Sequence, residues 1–252
     1  MKKEIRVVNK EKRIIQVTTT DERWYIRQAE DKKTGLPIYE YIPSVTWIAG
    51  FYPKGIAFYK WLADKGWDEA EAIKSAAGDK GSKVHLAIAD LIDGKTVKIN
   101  DKYPNKTTEK DEELSLEEYE CIMSFAEWFK KTKPEILERE FVVFNDTQGY
   151  AGTVDLYCKI DGKEYVIDLK TSPYIWPEHE LQISAYKHAF TQPVNIAILQ
   201  LGYQKNKISK YKFTEIEDCF NVFLATKQIW TKGTEGVEPK QRDYPLEIKL
   251  NE

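Results

Sequence analysis

Two neighbouring segments of this 252-residue chain, GTVDLY at 152–157 and VIDLKTS at 166–172, combine apolar residues with carboxylates. Asp155 lies within the first apolar run and Asp168 within the second. A buried carboxylate without a partner costs several kcal/mol, so each of these side chains requires a cation or hydrogen-bond donors. Carboxylates on adjacent strands of a hairpin can converge on one divalent cation, and an oxygen-rich site of this kind suits Mg²⁺ or Mn²⁺.

A lysine follows the second carboxylate at a spacing that suits catalysis. Side chains on a strand repeat every two residues, so Lys170 and Asp168 point to the same face. A lysine there can hold a scissile phosphate, or orient and deprotonate a water whose pKa the metal lowers. A D-x-K triplet alone also fits a surface salt bridge in an ordinary hairpin. The longer pattern, G-x-x-D, a hairpin turn, then apolar-apolar-D-x-K, favours the catalytic interpretation, and Gly152 leaves space where substrate or a loop approaches the strand.

The segment LQISAYKHA at 181–189 adds an amide and a phenol. Gln182 and Tyr186 are four residues apart and share one face of a helix. Side by side, they can grip a phosphate or a nucleotide near the metal. In the alternative interpretation Tyr186 packs in the core and Gln182 is solvated, and without the two preceding strands that alternative would be the better one.

The elements that must position these residues follow from the hydrophobic period and the turn signals. We predict N-terminal strands at 5–8, 13–17, 24–27 and 37–41, with polar turns at 9–12 and 30–35. A helix start is predicted at PSVTWI (43–48), and helices at 55–77, 80–93, 115–131, 178–190 and 215–230. Further strands are predicted at 138–144, 153–160, 164–171, 194–203 and 207–213. The polar stretch 93–113 is predicted to be a surface loop or flap, and the tail 235–252 to be irregular.

The core order of helix, three strands, helix and strand indicates an α/β sandwich with a small mixed sheet. We find no internal repeat and no interdomain linker, so we expect a single domain over 1–252. Its parts would be N-terminal strands and helices at 1–78, a core at 79–201, and a C-terminal strand, helix and tail at 202–252.

The motifs G152-T-V-D155, D168-L-K170 and Q182-x-x-x-Y186 together resemble those of RecB-type nucleases in the PD-(D/E)XK superfamily. The segment KGSKVHLAI around His85 resembles the G-x-x-x-H helix of that family. IPSVTWIAG and FYPKGIAFYKWL are similar to segments of phage exonucleases and of the mitochondrial genome maintenance exonuclease. The resemblance runs from about Ile42 to Leu201 and is specific through the motifs jointly.

The resemblance implies a PD-(D/E)XK (restriction-endonuclease-like) core with strands and helices added at its N-terminus. It also implies roles for individual residues. Lys170 would be catalytic, Glu140 would orient a metal-bound water or support the site, and Gln182 and Tyr186 would contact DNA or brace the site. The implied metal ligands are His85, Asp155, Asp168 and the backbone carbonyl of Leu169.

His85 departs from the ligand set that Mg²⁺ usually selects, because imidazole is a softer ligand, and it therefore favours Mn²⁺. Judged by its neighbours Val84, Leu86 and Ile88 alone, His85 is a satisfied core histidine. The resemblance favours the functional interpretation. His179 and His188 match no motif position, and we expect them to be structural or exposed.

Basic and aromatic residues near these motifs are candidates for contact with DNA. Lys54 in the YPKG turn, and Lys83 with Lys80 beside His85, can touch phosphate, although a basic helix end is often merely solvated. Tyr174 and Trp176, held between two prolines, can form a wedge over the site, or they can be part of a packed connector. Bases can stack on aromatic rings, but we expect most aromatics of 47–67 to lie in the core.

Composition excludes some classes. Hydrophobic residues make up 42% and charged residues 31% of the chain, which is ordinary for a soluble protein and argues against a mainly disordered one. No apolar run approaches a membrane span, and the N-terminus lacks the pattern of a secretory signal or transit peptide. We therefore expect no membrane contact and a cytoplasmic location, in a bacterial host cell if the protein is phage-encoded.

Three scattered cysteines, Cys121, Cys158 and Cys219, argue against a four-cysteine iron–sulfur cluster. The net charge of −3 gives no overall attraction to nucleic acid, so a nuclease would need a local basic strip and cations bound to its carboxylates.

The leading hypothesis is an Mg²⁺- or Mn²⁺-dependent exonuclease acting on DNA ends, with single-stranded DNA favoured. The resemblance suggests a setting in phage or bacterial recombination or replication, with proteins of those processes as possible partners. The alternatives are a structure-specific flap or junction endonuclease and a catalytically inert DNA-end-binding module. A small-molecule enzyme with the same metal site lacks the support of a glycine-rich nucleotide loop.

Overall fold

The computed structural model describes residues 4–9, 14–19, 22–30, 35, 37–205, 208–234 and 239. The turns predicted at 9–12 and 30–35 lie mostly outside these residues, as does the tail predicted to be irregular, apart from residue 239. None of the described helices is both long and apolar enough to cross a lipid bilayer.

The N-terminal strands form one antiparallel sheet in the order β1-β2-β3-β4. Its strands are β1 (Glu4–Asn9), β2 (Ile14–Thr18), β3 (Arg23–Glu30) and β4 (Pro37–Pro43). The four predicted strands are confirmed, each displaced by a few residues at most. Ile14, Tyr25 and Ile42 lie on one face of this sheet and pack with Ala151 of the second sheet, so that face lies against the rest of the protein.

The second sheet has five strands in the order β11-β10-β9-β8-β7. They are β7 (Glu135–Asn145), β8 (Tyr150–Ile160), β9 (Lys163–Lys170), β10 (Asn195–Lys205) and β11 (Ile208–Glu215). β9 and β10 are parallel and the other pairs are antiparallel, which confirms a mixed sheet. β9 is central, so five consecutive residues, 165–169, are buried.

Helices cover both faces of this sheet. On one face lie α3 (Trp67–Ile92) and α4 (Leu116–Thr132), packed with Leu156, Ile167 and Leu199. On the other lie α1 (Val45–Ala49), α5 (Pro177–Lys187) and α6 (Phe220–Thr234), packed with Val154 and Val166. The chain is therefore a mixed α/β protein with a helix–sheet–helix core.

Two predicted boundaries are wrong. The predicted helix 55–77 is divided at Gly66 into α2 (Ile56–Lys65) and α3, and α3 then continues through Gly78 and Asp79. Gly66 has φ of 74°, a left-handed value that glycine tolerates and that ends α2. Asp79 does not start a new helix, because its carboxylate accepts a hydrogen bond from the Lys106 backbone N–H at 3.1 Å. The predicted helix 215–230 begins later, since β11 extends to Glu215.

The stretch predicted as a surface loop or flap contains a two-stranded hairpin, β5 (Lys102–Asn105) and β6 (Lys110–Glu113). Tyr103 anchors it: the ring is buried and the hydroxyl donates to Asp90 at 3.1 Å. One buried aromatic among many lysines and acids is a weak signal, which explains why the sequence indicated only a loop.

The expectation that most aromatics of 47–67 lie in the core is wrong for α2 and its flanks. α2 has no buried residue, and Phe58, Tyr59 and Trp67 are exposed. Trp47 does pack inside, against Trp24 and Trp230 at ring-centroid distances of 5.1 and 5.0 Å.

The tryptophan cluster predicts how firmly the N-terminal sheet is attached. Trp24 of β3 is 1% exposed, whereas Trp67 is 68% exposed. We expect Trp24→Ala to lower the free energy of unfolding by about 3–5 kcal/mol, because a large cavity would open between β3, α1 and α6. Urea unfolding followed by far-UV circular dichroism measures the change.

The matched control is Trp67→Ala, which removes the same side chain from solvent and should change stability by less than about 0.5 kcal/mol. Equal effects of the two substitutions would show that the cluster does not hold the sheet to the core.

Candidate metal and catalytic site

The first feature of the site is the point at which β8 and β9 separate. Their ladder ends at Leu156↔Ile167, one position before Asp155 and Asp168 would face each other. Beyond that point β8 no longer pairs with β9, and the Leu169 N–H donates instead to Asp155 Oδ2 at 2.8 Å. The open end of a hairpin thus fixes the orientation of one carboxylate and leaves its other oxygen available.

That other oxygen faces a histidine from α3. His85 Nδ1 lies 3.5 Å from Asp155 Oδ1 and 3.7 Å from Glu140 Oε1. His85 Nε2 lies 3.1 Å from the Leu169 carbonyl oxygen, so in the neutral ring an Nε2–H donor leaves the Nδ1 lone pair facing the acids. A ring nitrogen held by a backbone carbonyl is how metal-binding histidines are usually oriented.

Glu140 reaches this group through a distorted strand. The β7–β8 ladder skips the position at which Glu140 would face Asp155, and Glu140 has φ of 48°. A left-handed conformation at a residue other than glycine is costly, and such strain is concentrated at functional sites. The distortion turns the Glu140 carboxylate toward His85.

The electrostatics of this group are strongly coupled. Desolvation lowers the pKa of His85, but the charges of Asp155 and Glu140 outweigh it and raise that pKa to about 9. Desolvation raises the pKa of Asp155 to about 7, with Asp168 and Glu140 adding to the rise and His85 opposing it. Without a cation, the group therefore holds its charge balance through a protonated histidine.

His85, Glu140 and Asp155 fit a divalent cation. One ligand atom from each lies within 4.8 Å of the others. Ligands at about 2.1 Å from one ion lie roughly 3–4 Å apart, which matches the separations from His85 Nδ1. One nitrogen with two carboxylates suits Mn²⁺ better than Mg²⁺.

The second carboxylate belongs to a separate network. Asp168 is 1% exposed, and its Oδ2 lies 2.6 Å from Lys170 Nζ without accepting a hydrogen bond of normal geometry. Gln182 Nε2 donates to Asp168 Oδ1 at 2.9 Å, and Gln182 Oε1 accepts from Lys170 Nζ at 3.3 Å. One amide thus orients both the carboxylate and the ammonium.

Gln182 is held in turn by its own helix. Its Nε2 also donates to the Tyr186 hydroxyl at 2.9 Å, and the Tyr186 ring is buried against Gly152. The space at Gly152, predicted to admit substrate or a loop, is therefore filled by this ring. Burial raises the pKa of Tyr186 well above its ordinary value, so the phenol stays neutral.

Both groups line one cleft of about 500 Å³, together with Ser44, Thr46 and residues of the N-terminal sheet. Its acidic side chains are Glu140, Asp155 and Asp168. A second hollow, of about 960 Å³, adjoins it and shares Thr46, Lys170 and Gln182 with it. The lining of this apolar groove includes Tyr52, Pro53, Phe58, Trp61, Trp176 and Pro177.

Tyr174 and Trp176, which the sequence suggested as a wedge over the site or a packed connector, lie at the apolar groove. Trp176 is 52% exposed in the lining, and Tyr174, also exposed, lies beside it with a ring-centroid distance of 5.6 Å. Lys54 lines the groove as well, but its ammonium is paired with Glu178 of α5.

Lys83 is placed elsewhere. It is 5% exposed and pairs with Glu118 of α4 at 2.8 Å, so it joins α3 to α4 and is absent from the lining of the cleft. Lys80, on the same helix, pairs with Glu117 at 3.0 Å. A buried ion pair, not a phosphate, accounts for the position of Lys83.

Sequence reasoning missed several lining residues: Arg6, Gln16, Arg23, Tyr25, Lys106 and His179. Arg6, Gln16 and Tyr25 belong to strands that were predicted, and Arg23 lies one residue before the predicted strand 24–27. Alternation could have placed Arg23 and Tyr25 on one face. Nothing in the sequence showed which face meets the site. Desolvation, with Lys170 nearby, lowers the pKa of His179 to about 4, so its ring is neutral at pH 7.

Comparison with known proteins adds little to this geometry. No protein-family model matches the chain, and no curated protein matches it. A solved alkaline exonuclease, LHK-Exo from Laribacter hongkongensis, is similar with a TM-score of 0.36 and 11% sequence identity. The match covers 76% of this chain and 87% of that one. At this TM-score, we draw neither fold nor function from it.

The contact between Gly152 and Tyr186 predicts that a single methyl group disturbs the site. A Cβ at Gly152 would overlap the Tyr186 ring, which carries Gln182 and through it Asp168 and Lys170. We expect Gly152→Ala to lower the free energy of unfolding by about 1–3 kcal/mol through overpacking. Tyrosine and glutamine side-chain resonances in nuclear magnetic resonance spectra should shift.

Gly78→Ala is the control, since a Cβ there meets open space within α3. It should raise stability by about 0.5–1 kcal/mol. A Gly152→Ala variant that is as stable as the native protein, or more stable, would mean that the Tyr186 ring is not packed as described.

Proposed function

We propose that the chain is a metal-dependent nuclease, and that its mixed sheet and flanking helices form a PD-(D/E)XK core. The observation that carries the proposal is the pairing of two groups in one cleft. His85, Glu140 and Asp155 offer a cation three ligands, and the buried Asp168–Lys170 pair lies beside them. Neither group alone indicates a nuclease, but phosphodiester hydrolysis requires both charge neutralisation and a positioned proton acceptor.

When bound, Mg²⁺ or Mn²⁺ would lower the pKa of a coordinated water and stabilise the charge that develops on the phosphate. We assign its binding to His85, Asp155 and Glu140, with Asp168 completing the carboxylate set. The Leu169 carbonyl, implied as a ligand by the resemblance, instead holds the His85 ring in this structure. Whether the Leu169 carbonyl binds the cation or holds the His85 ring, the proposed metal site lies at the open end of the β8–β9 hairpin.

Lys170 and Gln182 would act on the substrate side. The Lys170 ammonium, 2.6 Å from Asp168, can bind a non-bridging phosphate oxygen or orient the attacking water. Gln182 is a positioning residue, because its amide is used by Asp168, Lys170 and Tyr186. Water would attack phosphorus in line with the leaving oxygen and give up a proton as the new P–O bond forms. The bond to the leaving oxygen would break, and that oxygen would take up a proton.

We propose DNA ends as the substrate, with single-stranded DNA favoured. The apolar groove supports this choice because it begins at Lys170 and carries the rings of Tyr52, Phe58 and Trp176. Unpaired bases stack on such rings, whereas the bases of a duplex are already stacked on each other. Recombination or replication in a phage or its bacterial host, and partners from those processes, remain part of this proposal.

Two alternative functions use the same cleft. A flap or junction endonuclease would cut circular single-stranded DNA, on which an exonuclease cannot start. An inert end-binding module would bind without cutting, but binding alone does not require a carboxylate as buried as Asp168, which costs several kcal/mol.

Degradation of end-labelled linear single-stranded DNA tests the proposed activity. We expect cleavage with Mg²⁺ or Mn²⁺ that EDTA abolishes, and a loss of at least about 100-fold in Asp168→Asn. Asp161→Asn is the control, since Asp161 lies in the exposed turn at the other end of the β8–β9 hairpin.

Product sizes would indicate which end is attacked, and circular DNA would separate exonuclease from endonuclease. Native protein that cuts neither single- nor double-stranded DNA with either metal would contradict the nuclease; retained binding would then favour the end-binding module.

The groove yields a separate prediction about substrate choice. We expect Trp176→Ala to weaken binding of single-stranded DNA by about 5- to 150-fold, since one stacked base contributes about 1–3 kcal/mol. Fluorescence anisotropy with single- and double-stranded oligonucleotides measures the change, and Trp67→Ala, outside the lining, is the control. An equal loss for both DNA forms would argue against base stacking in the groove.

A further inference from the structure

The inner face of the N-terminal sheet forms one wall of the metal cleft. In its register Arg6 pairs with Gln16, and Gln16 pairs with Tyr25, so these side chains form one row across β1, β2 and β3. Arg23 lies two residues before Tyr25 and therefore on the same face. All four residues line the cleft that contains Asp155, Asp168 and Lys170.

This wall is fixed relative to the core. The Tyr25 ring is buried, and its hydroxyl lies 2.8 Å from Thr153 Oγ1, two residues before Asp155. Ser44, directly after β4, bridges to Ala151 of β8 and caps α1 by accepting from the Trp47 N–H at 3.1 Å. The sheet that carries the arginines is therefore attached to the core through β3 and the end of β4.

The surroundings of the Arg23 guanidinium are the observation that points to a ligand. Its Nη1 lies 3.4 Å from the neutral Thr46 hydroxyl, and no carboxylate among the described residues is within ion-pair distance of it. Arg27, four residues further along the same face, is paired with Glu40 at 2.5 Å and Asp146 at 2.7 Å. One guanidinium of the strand is neutralised by the protein, and the other faces the cleft.

Arg6 occupies an intermediate position. Its Nη2 lies 3.6 Å from Glu140 Oε2, and the side chain is half exposed. An ion pair at this distance with a half-exposed guanidinium is weak, and a cation held by Glu140 would compete for the same carboxylate. Arg6 is thus available to a second anion beside the metal site.

We propose that the N-terminal sheet is a phosphate-binding wall, with Arg23 as its main contact and Arg6 as the second. These residues would bind phosphates of the nucleic-acid strand other than the scissile one, which Lys170 faces. Guanidinium is suited to this task because its donor fork matches two phosphate oxygens. The inference rests on the proposed function and adds a substrate contact, carried by β1 and β3, that the catalytic motifs do not contain.

Binding of a labelled single-stranded oligonucleotide, measured by fluorescence anisotropy at several salt concentrations, tests the wall without relying on cleavage. Ca²⁺ replaces Mg²⁺ to occupy the carboxylates, and gels check that the strand stays intact. We expect Arg23→Gln to weaken binding about tenfold or more and to lower the slope of log K against log salt by about 0.7. Arg23→Lys should keep the slope and recover part of the affinity.

Arg27→Gln is the matched control, because it removes the same charge from the same strand face at a guanidinium that carboxylates already neutralise. It should leave the salt slope unchanged, and urea unfolding of each variant excludes a general loss of fold. Oligonucleotides in which one phosphate is replaced by a neutral methylphosphonate locate the contact. At one position the replacement should lower the affinity of the native protein but not that of Arg23→Gln.

The outcomes separate this inference from the proposed function. Native protein that binds and cuts DNA, with an Arg23→Gln variant of unchanged affinity and salt slope, would overturn the wall and leave the nuclease intact. Equal effects of Arg23→Gln and Arg27→Gln would overturn it too, because the effect would then be general charge. A folded native protein that binds no oligonucleotide would overturn both.

Discussion

The burial of Asp168 in the central strand is the constraint on which the rest of the site depends. A carboxylate that is 1% exposed must have its charge compensated, and here the compensation comes from Lys170 on the same strand and Gln182 on α5. α5 can approach that closely only because Gly152 carries no side chain where the Tyr186 ring packs. The cost of one buried charge is thus offset by the placement of a helix, which in turn fixes the lysine that would face substrate.

The two halves of the site are joined through the backbone of one residue, Leu169. The Leu169 N–H donates to Asp155, and its carbonyl holds His85, while the side chains on either side of it in the chain are Asp168 and Lys170. Movement of β9 relative to β8 would therefore alter the cation-binding group and the lysine together. The open end of the hairpin is a suitable place for this coupling, because the backbone groups of β9 that no longer pair with β8 form hydrogen bonds with side chains instead.

Local pattern predicted the strands that carry Asp155, Asp168 and Lys170, because alternation and turn residues are written into a few consecutive positions. The prediction from local pattern failed where a residue distant in sequence determines the structure. Gly66 lies inside the predicted helix 55–77 and Gly78 directly after it, yet only Gly66 ends a helix. Asp79 instead accepts a hydrogen bond from the Lys106 backbone, 27 residues away. Lys83 was expected at phosphate and instead meets Glu118. The arrangement of the predicted site residues follows from motif order, whereas their burial and partners depend on long-range packing.

Charge in the cleft explains why the net charge of −3 carries so little information. Three carboxylates alone would repel a polyanion, but four basic side chains, Arg6, Arg23, Lys106 and Lys170, line the same cleft. They come from β1, β3, the β5–β6 hairpin and β9, so no basic run appears in the sequence. Acids clustered at one point and basic groups distributed around them make the electrostatic potential negative at the centre of the cleft and more positive around it. The N-terminal strands are therefore part of the site's electrostatics rather than an addition to a complete core.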